Sequence, residues 1–193
     1  MRTISSMLKR EPILKKLFII IVFFISLPLG AKMMVFEDFT IDQGKDWKFI
    51  SDQVMGGVSD GKLEFINMEG NSFARMTGYV SLENNGGFIQ FRKEVNGTGH
   101  NDSKGLVVNV RGNNQKYFLH IRTTGTILPW QYYQAPFEVT QDWKKIKIAY
   151  DIFERSGIML SKKVKPKKIT SIAIVAFGYE QEVLIDVDNI SFY

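Results

Sequence analysis

Few residues in this chain are of a type that does covalent chemistry, and their scarcity narrows the function. There is no cysteine, which removes thiol catalysis, disulfides and cysteine-ligated zinc together. Only His100 and His120 supply imidazole, too few for a multi-histidine metal centre. Serine, histidine and aspartate all occur, yet no G-x-S-x-G elbow is present, and a nucleophile needs a base within hydrogen-bond reach. The carboxylate pairs Glu37/Asp38 and Asp186/Asp188 have the residue types for glycoside hydrolysis. Nothing in their spacing sets one acid across a cleft from another. "NGTGHNDSKG" (96–105) has neither the G-x-G-x-x-G spacing nor the strand-to-helix setting of a dinucleotide site. The chain therefore reads as a binding protein and not as an enzyme.

Residues suited to binding are better represented. In "GFIQFRKEV" (87–95) Gln90 and Arg92 fall on the face opposite Ile89 and Phe91. In "GLVVNVRG" (105–112) Asn109 and Arg111 oppose Leu106, Val108 and Val110, and in "KYFLHIRT" (116–123) His120 and Arg122 oppose Tyr117, Leu119 and Ile121. If these strands pair in sequence order, six hydrogen-bonding side chains form one patch. Arginine and amide groups there suit a sugar, a carboxylate or a peptide backbone. The competing reading is the solvated face that antiparallel sheets commonly carry. The stretch "RTTGTILPWQYYQAPFEV" (122–139) reads as a long loop whose Trp130, Tyr132 and Tyr133 either cap the core or are displayed to a partner.

These side chains must be held by strands. From Val35 onward the sequence is a series of short alternating runs, completed by "WKKIKIAY" (143–150), "ITSIAIVAF" (169–177) and "EVLIDVDNISFY" (182–193). Asparagine and glycine in "NNGG", "VNGTG" and "RGNNQK" supply the turns. Period-two alternation broken by turn residues predicts an all-β sandwich or barrel, and 45% apolar residues are ample for one core. In "SDQVMGGVSDG" (51–61) Val54 and Met55 are expected to pack into the sandwich or against residues 81–88, with Gly56 and Gly57 closing the bend. Asp52 and Gln53 are expected to face outward as contact residues.

The N-terminus reads differently. Residues 17–29, "LFIIIVFFISLPL", are apolar except for Ser26 and Pro28, and five basic residues precede them against the single acid Glu11. That pattern predicts a signal peptide or N-terminal membrane anchor over 1–31. It places the remaining domain, 32–193, outside the cytoplasm, either periplasmic or anchored to the membrane. Without residues 1–31, Lys+Arg falls from 25 to 20 and Asp+Glu from 20 to 19, so the net charge falls from +5 to +1. The domain thus lacks the basic balance of a nucleic-acid binder. One basic run, "SKKVKPKK" (161–168), remains, as a solvated loop or a contact with acidic lipid.

Several of these segments together resemble one family. "W-x-x-x-S-D-Q-V-M-G-G-V-S-D-G" from Trp47, "GYVSLENNGGFIQFR" (78–92), "GLVVNVRGNNQKYFLHIRT", "WQYYQAPF" and "DVDNISFY" occur in the order seen in complex I intermediate-associated proteins. The resemblance spans about Phe36 to Tyr193. It implies a jelly-roll β-sandwich of the galactose-binding-domain type and a non-catalytic role like that of an assembly factor or chaperone for NADH:ubiquinone oxidoreductase. The implied partner is a protein, a membrane respiratory complex intermediate. The alternative is a carbohydrate- or small-ligand-binding exported domain with a glycan partner. Within that resemblance Asp52, Gln53, Asn84 and Asn85 join the stripe and Trp130 and Tyr133 as candidate contact residues. No cofactor is implied beyond a structural calcium ion between the first and last strands, for which Asp38 and Asp188 are the candidates; turn capping is the simpler role for both.

Overall fold

The computed structural model describes residues 33–40, 44–68, 70–97 and 99–193; the signal or anchor segment expected over 1–31 lies outside the described residues. The chain forms two antiparallel sheets packed face to face as a jelly-roll β-sandwich. In the first sheet the order is β3 (Asp60–Met68), β4 (Asn71–Val80), β12 (Gln181–Phe192), β6 (Gly105–Gly112) and β9 (Lys144–Ala149). β1 (Met34–Glu37) also pairs with β12. The second sheet runs β10 (Glu154–Arg155), β8 (Tyr133–Glu138), β7 (Lys116–Thr123), β11 (Ile169–Phe177), β5 (Phe88–Glu94) and β2 (Lys48–Ser51). Among the described residues no helix is long and apolar enough to cross a membrane.

Alternation sends one side of each strand into the core. Leu106, Val108, Val110 and Ile185 from the first sheet meet Leu119, Ile121, Ile174 and Phe91 from the second, all fully buried. The long strand β12 holds the first sheet together: β4 lies along residues 181–187, β1 along 190–192, and β6 along the other edge. Its register against β6 shifts between Val187 and Asn189, a bulge at Asp188.

A second tie joins the sheets near the chain's start. Glu37 is wholly buried. Its carboxylate accepts hydrogen bonds from the Phe39 backbone N–H (2.7 Å), Trp47 Nε1 (2.8 Å) and Lys93 Nζ on β5 (2.7 Å). Trp47 in turn packs edge-on against Phe91, with ring centres 5.1 Å apart. A buried carboxylate persists only with such partners, so Glu37 is a structural acid.

One expectation is corrected here. Residues 122–139 are not a single loop, because Tyr133–Glu138 form β8 between β7 and β10. Pro136 disguises this strand. β10 contacts β8 only at Tyr133 and Gln134, so the missing N–H of Pro136 interrupts no pairing on that side.

Candidate functional site

The segment at 51–61 is built around a buried carboxylate. Asp52 begins a short 3-10 turn, Asp52–Met55, and its side chain is fully shielded from solvent. It accepts hydrogen bonds from the Ser59 N–H (2.9 Å), Ser59 Oγ (2.5 Å), the Gly87 N–H (2.5 Å) and the Phe88 N–H (3.2 Å). Burial alone raises the pKa of such a group, but these donors together outweigh it and hold the carboxyl below its ordinary value. The glycines follow from this geometry. A Cβ on Gly57 or on Gly86 would run into the Asp52 carboxylate itself. Asn84 and Asn85, both exposed, take left-handed φ values of 55° and 57° in the turn that brings Gly86 and Gly87 back to the acid. The two glycine-bearing signatures are thus the two halves of one clamp.

This reverses the expectation for the bend. Asp52 points inward and is not a contact residue. Val54 and Met55 point outward, 72% and 66% exposed. The clamp needs the acid inside, and a single 3-10 turn then leaves the next two side chains on the surface. Gln53 is exposed and donates from Nε2 to the Ser59 carbonyl at 3.0 Å.

Val54 and Met55 form one wall of a cleft of about 590 Å³ over the outer face of the second sheet. That volume is in the range that takes a small ligand or a few side chains. Its floor is β5, β11 and β7, through Phe88, Gln90, Arg92, Ala173, Val175, Phe177 and His120. The opposite wall is the segment carrying Pro129, Trp130 and Tyr132. Tyr132 lies flat on His120, with ring centres 4.2 Å apart and planes within 9°. Burial brings the His120 imidazole down to about 3, so it is neutral at physiological pH, and its Nε2 has no hydrogen-bond partner among the described residues.

The wall is braced from behind. Gln131 Oε1 accepts from the Ile127 and Leu128 N–H groups (2.8 and 3.0 Å). Ser156 Oγ donates to the Trp130 carbonyl and accepts from the Tyr132 N–H, both at 3.0 Å. Arg122 is a strut as well as a lining residue, donating to the carbonyls of Thr126 (3.2 Å) and Leu128 (3.0 Å). Burial and the nearby Arg92 charge lower its pKa. The polar groups left for a ligand are few. The Gln90 side chain makes no hydrogen bond among the described residues, and Arg92 has only a loose ion pair with Glu94 at 3.9 Å.

The predicted stripe is therefore divided. Gln90, Arg92, His120 and Arg122 share the cleft, but Asn109 and Arg111 lie on the other sheet, because β11 and not β6 sits between β5 and β7. Arg111 there donates to Asp186 Oδ2 (2.9 Å) and stacks over Trp143, 4.7 Å from the ring centre. Asn109 donates to Asp188 (2.6 Å). Of the loop aromatics, Trp130 is 67% exposed at the cleft whereas Tyr133 is buried, its hydroxyl donating to the Ser161 carbonyl. The residues that sequence reasoning missed are Ile50, Phe88, Val175 and Phe177. Their signal was β11, which is apolar on both faces and so has something to cover.

The calcium candidates are separately engaged. Asp38 accepts from the Thr40 N–H and hydroxyl, and Asp188 from Asn109. Among the described residues no group of three or more acidic or histidine side chains is placed to hold a metal.

Comparison with known proteins gives a family and a fold. The family model described as Complex I intermediate-associated protein 30 matches residues 36–185. No curated protein matches the sequence at a significant level. Among solved structures, the chain is similar to the family 11 carbohydrate-binding module from Clostridium thermocellum, in complex with a β-1,3-1,4-mixed-linked tetrasaccharide. The identity is 12%, covering 83% of this chain and 94% of that one, with a TM-score of 0.67. The same module from the cellulosomal cellulase Lic26A-Cel5E of that organism also scores 0.67 at 12% identity, over 84% of this chain and 95% of that one. A family 30 carbohydrate-binding module scores 0.51 at 13% identity, over 71% and 91%. At such identities the likeness concerns the sandwich alone.

Proposed function

We propose, for a chain that belongs to the complex I intermediate-associated protein 30 family, that it is a non-catalytic binding module in an assembly-factor-like role for an intermediate of respiratory complex I. The cleft over the second sheet takes an apolar segment of the partner protein. The character of the lining carries this reading: Val54, Met55, Ile50, Val175, Phe177 and Trp130 surround the cleft, while Gln90 and Arg92 offer an amide and a guanidinium among the polar groups of its floor. Such a surface suits apolar side chains, with the amide and guanidinium reading one or two backbone carbonyls.

One observation favours a glycan as the second reading. Trp130 is mostly exposed at the cleft, and an exposed indole face suits the apolar face of a pyranose.

A photo-crosslinking residue in place of Met55, in the full chain expressed in its own cells, tests the proposal. A crosslinked subunit of the respiratory complex is the expected product, lost when Trp130→Ala and Val54→Ser are added. Crosslinks unchanged by those substitutions overturn the cleft as the site. Binding of a glycan panel by the same protein, abolished by Trp130→Ala alone, selects the second reading.

A further inference from the structure

Beside the cleft's loop wall, the most exposed apolar side chains among the described residues lie next to a dense run of positive charge. Ile158 and Met159 are 88% and 85% exposed, and Ile127 is 84% exposed. The two loops that carry them adjoin: the Thr124 N–H donates to the Lys168 carbonyl (2.8 Å), and Thr123 and Gly125 share a small hollow with Met159, Lys163, Lys165 and Lys168. Residues 156–168, "SGIMLSKKVKPKK", hold five lysines and no acid, and residues 122–131, "RTTGTILPWQ", hold no acid either. Lys162, Lys163, Lys165, Lys167 and Lys168 are all exposed.

The display is fixed by the fold. Leu160 and Val164 are buried on either side of the first lysines and pin the loop to the core. Arg155 donates to the Ile158 and Leu160 carbonyls (2.9 and 2.7 Å), and the Tyr133 hydroxyl donates to the Ser161 carbonyl (3.0 Å). Anchored this way, the loop had apolar side chains available for burial and turned Ile158 and Met159 to solvent.

We infer that this edge docks on an anionic lipid surface, with Ile158 and Met159 entering the acyl boundary and the lysines meeting lipid phosphates. Aliphatic side chains at a loop tip ringed by lysine match an interface in which apolar matter lies just beneath negative charge. Lysine is suited to the rim, since its stem stays with the apolar layer while the ammonium reaches the headgroups. A nucleic acid offers the charge but nothing for the two aliphatic tips, and an acidic protein surface leaves them equally uncovered. The same loop pair carries Trp130, so docking here sets the cleft's mouth close to the bilayer surface. The inference does not depend on what the cleft binds.

The absence of native cysteine gives a local test in the full chain. Ile158→Cys carries the only thiol and accepts an environment-sensitive fluorophore; Asn67→Cys, exposed on β3 of the other sheet, is the control. Each is titrated with vesicles of phosphatidylcholine alone and with a quarter phosphatidylglycerol. The label at 158, and not that at 67, is expected to brighten and shift to the blue on the anionic vesicles. Replacing Lys162, Lys163 and Lys165 by glutamine should weaken that response about a hundredfold, from roughly fivefold per lysine, and high salt should act likewise. The N-terminal apolar run is common to all variants. Vesicle binding with no change at 158, or an equal change on neutral vesicles, overturns the inference. So does a response that needs no vesicles and grows with protein concentration, which marks the edge as a contact between copies.

Discussion

The outer faces of the two sheets are built from the same kinds of residue and do opposite things. On the first sheet, Arg75 and Arg111 both donate to the buried Asp186, and both guanidinium groups lie over Phe73. Trp143 closes edge-on against Phe73. Charges and rings there satisfy one another and cover the sheet. On the second sheet Tyr132, His120 and Phe177 pack on one another at one side of an open cleft, which is left uncovered, with Gln90 unbonded among the described residues and Trp130 turned to solvent. Composition alone does not separate a surface that completes itself from one that waits for a partner. The placement of acids does: Asp186 lies beneath the arginines of the first face, whereas on the second Asp52 is turned under the wall and used for the clamp, and Glu94 meets Arg92 only at 3.9 Å.

Removing each acid is the most direct way to break that comparison. Asp52→Ala strips four hydrogen bonds, three of them from buried donors, and should cost about 3–5 kcal/mol. That corresponds to a fall in Tm of roughly 10 °C for a domain of this size, read by thermal or urea denaturation. The clamp also aims Val54 and Met55, so ligand binding should fall with stability. Asp186→Ala should cost less, about 2 kcal/mol, because Arg75 and Arg111 are each about one-third exposed and can turn to water. Cleft binding should not change. If the two variants behave alike in binding, the division between the faces is wrong.

Acid sharpens the comparison, since only the second face carries a histidine. His120 has its pKa brought down to about 3 by burial, against about 6.5 in the unfolded chain. The unfolded state therefore binds more protons between these values. Its contribution is complete above pH 6.5 and is lost as the pH falls toward 3, about 2 kcal/mol at pH 5. His100, also lowered by burial, shifts stability in the same direction. Denaturation at pH 7 and pH 5 should show His120→Phe losing about 2 kcal/mol less than the parent on acidification. Asp52 does not interfere, because a lowered carboxyl costs stability only as the pH approaches 3.8.

The sequence made the sandwich legible wherever one face of a strand was plainly apolar. β6, β7, β11 and β12 fall within a residue of their expected limits. It concealed β3 and β4, because Phe73 is buried beneath Arg75 and Arg111 on the outer side, which spoils the alternation with Ala74 and Met76. For the site, alternation put the right four residues of the stripe on the cleft face. It placed Asn109 and Arg111 with them only because strand order is a long-range property that period-two patterning does not encode. The bend at 51–61 was read inside out for a local reason. An acid next to two apolar residues suggests the acid faces water, unless glycines elsewhere reveal that backbone is approaching it.

The smallest effect on stability is expected where the effect on function is expected to be large. Val54 and Met55 are exposed, so Val54→Ser with Met55→Ser removes little burial and should change stability by less than about 0.5 kcal/mol. The same pair forms one wall of the cleft. If an apolar segment packs between that wall and Trp130, losing two contacts that become buried in the complex should weaken binding by about 2 kcal/mol, roughly thirtyfold. Titration of the identified partner by calorimetry, beside a urea melt of the same variant, reads both numbers. The matching pair on the first sheet, Phe73→Ala with Trp143→Ala, should do the reverse: Phe73 is buried, so the melt moves while binding stays. A double serine variant that binds as tightly as the parent would leave the second face, like the first, a surface that merely completes itself.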